Sequence, residues 1–303
     1  MFFVQNRRKA FMISGTLLVI FLVSLALIGL NLGEHFAGGT EILFTPGEDF
    51  SEAEVREVLQ EFDLDGATLQ RVRGAGEVEE ADSILIKTGF LSQERLDGVT
   101  SALEDRWPDM DPERRRIEST GPAIGGEQLA SSLWALALAL AAMVGYITFR
   151  FQFTYAVSTI AALLHDALIV LGVFSLFQLE INLPFVAALL TVIGYSINDS
   201  IVIIDRIREN IKGKRKKEYP QVVNYSILQN LTRSLNTSFT TLMVLLALLV
   251  GFVFFIGNLD LIYFVLALII GIITGTYSSL FIASPLWLTL KQREFRKQSS
   301  HPG

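Results

Sequence analysis

The chain has 303 residues, is 51% hydrophobic, has a mean hydropathy of +0.45 and carries a net charge of −6. That hydropathy is high for a soluble protein, and the absence of cysteine excludes a disulfide framework and a thiolate metal site. Residues 31–126 hold 22 Asp and Glu against 9 Lys and Arg; an acidic block flanked by basic stubs is a membrane pattern rather than a nucleic-acid one.

Arg7, Arg8 and Lys9 precede an uncharged run from Phe11 to Leu32. The apolar region of a signal peptide is only about 7–15 residues and ends in a small-residue cleavage site. This run is longer and no A-x-A pattern follows it, so residues 1–32 read as an N-terminal stub with a retained first span.

Residues 33–126 change character and read as a small α+β domain. Thr40 to Thr45 alternates as a strand. Ser51 and Glu54 make a capping box that opens a helix reaching about Phe62. Strands are expected at 67–73 and 83–88, joined by a polar loop from Gly74 to Asp82. A second helix from about Ser92 to Trp107 and a strand from Arg114 to Ser119 complete the order β-α-β-β-α-β, the ferredoxin-like arrangement. The acids are expected on a solvated surface. The histidines, at 35, 165 and 301, are too far apart for HExxH-type ligation, and neither a nucleophile–base set nor a metal cluster is visible; no enzyme is expected.

Residues 127–290 read as a bundle of five further spans, at about 129–149, 154–177, 183–206, 233–257 and 260–288, making six in all. Arg7–Lys9, Arg150, the basic loop 206–225 with its seven cations between Arg206 and Lys217, and the tail 291–303 fall on one side. The loops near Glu180 and Asp260 carry no Lys or Arg. By the positive-inside rule both termini are expected in the cytoplasm and the acidic domain outside. The run Lys212–Lys217 reads as a topology anchor that also touches anionic lipid, with direct contact to a cytoplasmic partner as the lesser reading. Asp205 with Arg208, and Glu209 with Lys212, are expected as surface pairs.

Polar residues inside the spans are the candidate site. The third span carries His165 and Asp166 near mid-membrane; sequence neighbours are expected on different faces, and His165 reads either as a proton-relay member or as a buried imidazole. On the fourth span Asp199 lies 16 residues past Leu183, about 24 Å along a helix and therefore inside a core about 30 Å thick. A charge there costs at least ~2.5–3.5 kcal/mol. Thr191, Tyr195, Asn198, Val202 and Asp205 share one side of that span, with Asp199 at its edge. Arg233, Asn236, Thr237 and Thr240 make a polar stripe on the fifth span, so pairing of Asp199 with Arg233, or a water-filled pocket, is expected to relieve the cost. A static ion pair locking two helices is the structural alternative. Gly271, Gly275, Ser279 and Ala283 recur every four residues on the sixth span and read as small-residue packing.

The segments LLHDALIVLG, LPFVAALLTVIGYSINDSIVIIDRIREN and LTRSLNTSFTTL, with Gly38-Gly39-Thr40 and Gly121-Pro122, closely resemble the corresponding segments of the SecF family, over nearly the whole chain. That family supplies the smaller membrane subunit of the SecD–SecF accessory complex of bacterial protein export, and is related to the resistance–nodulation–division exporters. The resemblance implies a multi-pass protein of the bacterial cytoplasmic (inner) membrane whose partners are a SecD-like subunit on a separate polypeptide, the Sec channel (SecY, SecE and SecG), unfolded secretory chains and the lipid bilayer. It implies use of the proton-motive force, with no cofactor, H⁺ or Na⁺ being the transported ion. It carries the family's proton-coupling Asp onto Asp199 and its Arg onto Arg233; the polar residues Asn198, His165, Asp166 and Thr237 are expected, from their places in the spans, as relay or pocket residues. His35 departs from the family's acidic residue at that turn. Half of a small-molecule or lipid exporter, and a scaffold with a fixed Asp199–Arg233 pair, are the rival readings.

Overall fold

The computed structural model describes residues 2–46, 50–72, 83–110 and 115–299. Among these residues six helices are long and apolar enough to cross a membrane. A short helix α1 (Phe2–Gln5) leads into α2 (Arg7–Leu27), the first of the six. The first span ends earlier than the apolar run suggests. Asn31–Leu32 leaves the helix as β1 and pairs in parallel with β6 (Glu180–Ile181). Two residues carry no periodicity, so composition alone could not separate them from the helix.

A one-turn helix α3 (Glu34–Ala37) then ends on Gly38, whose φ of +81° is open only to glycine without strain. A side chain there would meet the Pro122 backbone at 2.8 Å, and one on Gly39 the Thr88 carbonyl at 2.8 Å. The Gly-Gly and Gly-Pro pairs are thus two sides of one close crossing.

The sheet domain follows: β2 (Gly39–Phe44), α4 (Glu52–Gln60), β3 (Thr68–Val72), β4 (Ser83–Thr88), α5 (Gln93–Arg106) and β5 (Arg116–Thr120). The sheet order is β3-β4-β2-β5, every neighbouring pair antiparallel, which is the split-βαβ topology. Ser51 caps α4 with its hydroxyl on the Glu54 amide while Glu54 answers the Ser51 amide, the reciprocal box that satisfies two orphan donors. The loop read over Gly74–Asp82 lies outside the described residues.

Strand alternation gives the sheet two faces. Ile42, Phe44, Ile84 and Ile86 pack with Val55, Leu59, Val99, Leu103 and Trp107 of the helical layer in a core of their own. Glu41, Leu85, Lys87 and Gln70 point the other way, onto the helix bundle. That face is not the solvated surface expected for the acids.

The bundle consists of α6 (Pro122–Arg150), α7 (Phe153–Leu176), α8 (Leu183–Asn210), α9 (Tyr219–Gly251), α10 (Leu259–Ser278) and α11 (Ser284–Ser299). π-helical turns over Phe252–Ile256 and Ser279–Ala283 extend α9 and join α10 to α11. At 33 residues α9 starts well before the fifth span read at 233–257 and is about 50 Å long, more than a hydrocarbon core needs. α8 and α10 lie at the centre of the apolar core, and α2 crosses α7 where a side chain on Gly172 would stand 2.2 Å from Phe21 Cβ. α6 is peripheral, with Trp134, Leu138 and Phe149 exposed.

The chain alternates between two ends. β1, β6, the Asn258 turn and the sheet domain gather at one. At the other the termini meet through Arg7 and Gln292 (3.2 Å), and Phe3 N–H donates to Asn224 Oδ1 (3.1 Å). Ion pairs there include Arg150 with Asp205 (3.9 Å), Arg206 with Glu209 (2.9 Å) and Lys291 with Glu294 (2.8 Å), while the expected Asp205–Arg208 and Glu209–Lys212 pairs are absent among the described residues.

Candidate functional site: carboxylates within the helix bundle

Asn182 caps α8 by accepting from the Phe185 amide, and Pro184 occupies the first turn, where its missing N–H costs nothing. From that start the helix runs through the bundle core, carrying Ser196 (fully buried) and Asp199 (partly buried) on adjoining faces, while Asn198 and Thr191 are exposed.

Asp199 accepts two hydrogen bonds, from Ser234 Oγ on α9 (2.5 Å) and from Ser279 Oγ in the π-helical turn after α10 (2.5 Å). The expected ion pair with Arg233 is absent among the described residues. The reason is helical geometry: consecutive residues diverge by 100°, and it is Ser234 that points inward. Arg233, Asn236, Thr237 and Thr240 do form a stripe, but on the exposed side of α9, where the threonines bond back to their own helix. The inward stripe is Ser234 and Ser238, the latter bonded to Thr276 (2.6 Å) and Tyr195 (3.2 Å). Both serines sit at i and i+4, a spacing the sequence offered but which the charged residue overshadowed.

His165 and Asp166 correct a second expectation. Although neighbours in sequence, their side chains lean together, His165 Nδ1 to Asp166 Oδ1 at 2.9 Å. Asp166 is wholly buried, and its other oxygen accepts from Ser196 (2.6 Å) and Ser278 (2.6 Å). His165 Nε2 is buried with no hydrogen-bond partner among the described residues. Gly271 and Gly275 bring α10 against α8: a side chain on Gly271 would stand 2.1 Å from Val192 Cγ2, and one on Gly275 3.2 Å from Ser196 Cβ. Ser279, read as packing, is also a ligand of Asp199. The adjacent hydroxyls of Ser278 and Ser279 therefore hold the two carboxylates, Asp166 and Asp199, one each, at the point where the α-helix loosens into a π turn, a distortion often found at functional positions.

Hydroxyl partners have a chemical consequence. An arginine can only donate, so it favours the ionised carboxylate; a serine hydroxyl both donates and accepts. Each carboxyl group in this shell can gain or lose a proton and keep hydrogen bonds by rotation of its serines.

Residues 100–293 match the family described as protein export membrane protein SecD/SecF, C-terminal. The protein translocase subunit SecF of Alicyclobacillus acidocaldarius is 37% identical over 97% of this chain and 94% of its own length. The SecDF of Bacillus subtilis is 33% identical over 98% of this chain, which spans 39% of that longer protein. The crystal structure of SecDF, a translocon-associated membrane protein from Thermus thermophilus, superposes with a TM-score of 0.80 at 35% identity, covering 97% of this chain and 39% of that one.

Proposed function

The chain belongs to the SecD/SecF family of protein-export membrane proteins, and from that premise we propose that it is the SecF half of a SecD–SecF assembly in the cytoplasmic membrane that draws on the proton-motive force to promote export through the Sec channel. Its SecD-like partner covers the exposed side of α6 and α9, the sheet domain stands outside, and both termini lie in the cytoplasm. The charge asymmetry of the loops supports that orientation. Neither a cofactor nor covalent catalysis enters the reading.

The observation that carries it is Asp199, a carboxyl group inside a span whose partners among the described residues are hydroxyls alone. Protonation removes its charge and the reason for α9 and α10 to converge on it. Arg233 sits one residue from Ser234, so a rotation of α9 by about 100° exchanges a hydroxyl partner for a guanidinium. Those two pairings are the two states. One charge crossing 100 mV is worth ~2.3 kcal/mol, enough to bias a two-state element roughly fifty-fold.

Asp199→Asn keeps the shape and removes the charge. In membrane vesicles holding the complete complex, this variant should insert and co-purify normally yet lose export that depends on an imposed proton gradient. Undiminished gradient-driven export by the variant overturns the coupling role. Replacing the proton gradient with a sodium gradient distinguishes the two ions.

A further inference from the structure

Lys87 projects from the second face of the sheet and is only 7% exposed. Desolvating an ammonium group costs several kcal/mol unless it is closely paired, and Lys87 meets four carboxylates from four elements. Its Nζ lies 3.3 Å from Glu34 of α3, 2.9 Å from Glu41 of β2, 3.6 Å from Glu180 of β6 and 3.0 Å from Asp260 at the start of α10. Glu41 stands directly opposite Lys87 in the sheet, while Glu34, Glu180 and Asp260 come from the span ends. Asn182 steadies Asp260 from the cap of α8 (2.6 Å). Gly33 has no side chain where one would lie 2.5 Å from Glu180 Oε1. The cluster is the charged seam between sheet domain and bundle, flanked by the bond from Gln70 Nε2 to the Gly257 carbonyl.

The count of charges is unequal. With all four acids ionised, one ammonium faces four carboxylates inside a buried seam, and like charges so close cannot all persist. Oxygens of Glu34, Glu41 and Asp260 lie within 4.8 Å of one another. Around the seam the other titratable groups are His35 against Glu34 (3.1 Å), Tyr263 on α10, and the Arg116–Glu118 pair of β5 across a cleft of about 240 Å³.

We propose that this cluster is a proton-binding lock between the sheet domain and the spans. Seating the domain on the bundle takes up protons from the solvent that enters the cleft, and lifting it returns them.

Burial first, and then the facing Glu34 carboxylate, push the Glu41 carboxyl up to about 7 and the Glu180 carboxyl up to about 8. Glu34, against the cost of its own burial, is held well below the usual carboxylate range by hydrogen bonds from His35, Glu180 and Glu41. Burial opposes the charge of Lys87, but the carboxylates of Asp260, Glu180 and Glu34 outweigh it and keep the ammonium charged. His35 is raised chiefly by its hydrogen bond to Glu34. Acids whose seated pKa exceeds the free value hold more protons seated than lifted, so docking strengthens in acid and weakens as pH rises through 7 to 8. His35 acts in the same direction. Lys87 and Glu34 keep one charge state across that window.

The lock is independent of Asp199. The chain has no cysteine, so Ser101→Cys on α5 and Phe177→Cys after α7, both exposed, place a pair of spin labels across the seam of the full chain in lipid nanodiscs. The distance between them is read at pH 6 and pH 9. The expected result is one short distance at pH 6 and a second, longer population at pH 9. One proton released per group predicts a change in docking constant of at least about tenfold. Glu41→Gln with Glu180→Gln, the neutral mimic, should stay short at both pH values. Lys87→Met should populate the long distance even at pH 6. Identical distances at both pH values in the native background, or a Gln double variant that still responds to pH, overturns the lock. Asp199→Asn should leave the response unchanged, so this test and the export test fail separately.

Discussion

A single methyl group distinguishes two glycines that look alike in sequence. Gly271 and Gly275 both belong to a four-residue repeat, and spacing predicts equal packing roles. The structure separates them: the added carbon of Gly271→Ala falls inside Val192, whereas that of Gly275→Ala only presses on the Ser196 side chain. Gly271→Ala should cost about 1–3 kcal/mol, in the range of overpacked cores, and Gly275→Ala measurably less. Thermal unfolding in detergent checks the order, and Val192→Ala added to Gly271→Ala should recover much of the loss. Equal melting temperatures for the two single variants would contradict the approach of α10 to α8. The third member of the repeat carries a limit of sequence reading: Ser279 is small enough to pack and polar enough to bond Asp199, and its spacing could not say which.

At the scale of the element, hydropathy located all six spans because an apolar stretch of about 20 residues matches the thickness of a bilayer core and is rare in water-soluble chains. It could not set their ends. α9 continues upstream to Tyr219 through a segment whose buried residues, Val222, Val223, Asn224, Ser226 and Ile227, fall on one side of the helix outside any apolar run. Nor could composition orient a stripe. Arg233, Asn236, Thr237 and Thr240 were legible as one side of α9, but which side met α8 depended on Ser234, a residue too common to stand out. This orientation makes a prediction opposite to that of a buried ion pair. Arg233→Leu should change the stability of the isolated chain by no more than about 0.5 kcal/mol, as for an exposed position. It should nonetheless abolish gradient-driven export by the assembled complex. A melting temperature lowered by many degrees would mean that Arg233 is buried and paired within the chain itself.

For the whole molecule, what matters is how a sheet domain with its own core is held on a membrane bundle. The alternation of SILIKT announced two faces, Ile84 and Ile86 on one, Leu85 and Lys87 on the other, but a second face carrying a lysine reads as solvated until the elements that cover it are known. Those elements are α3, β6 and the start of α10, distant in sequence, which is why the acids at 34, 41, 180 and 260 could not be read as one group. The fastening has a steric part as well as a charged one. Gly257 turns the chain between α9 and α10 at a φ of +75°, and a side chain there would lie 2.5 Å from the Arg71 carbonyl of β3. Gly257→Ala should therefore strain the turn by roughly 1 kcal/mol and push the domain off its seat. Because the helical layer of the domain closes a separate core, the loss should be local. Hydrogen exchange should quicken at the β1–β6 pair and the β3 edge, while amides of α4 and α5 keep their protection. Uniform loss of protection through α4 and α5 would show that the domain depends on the bundle for its fold, and that seating and folding are one event.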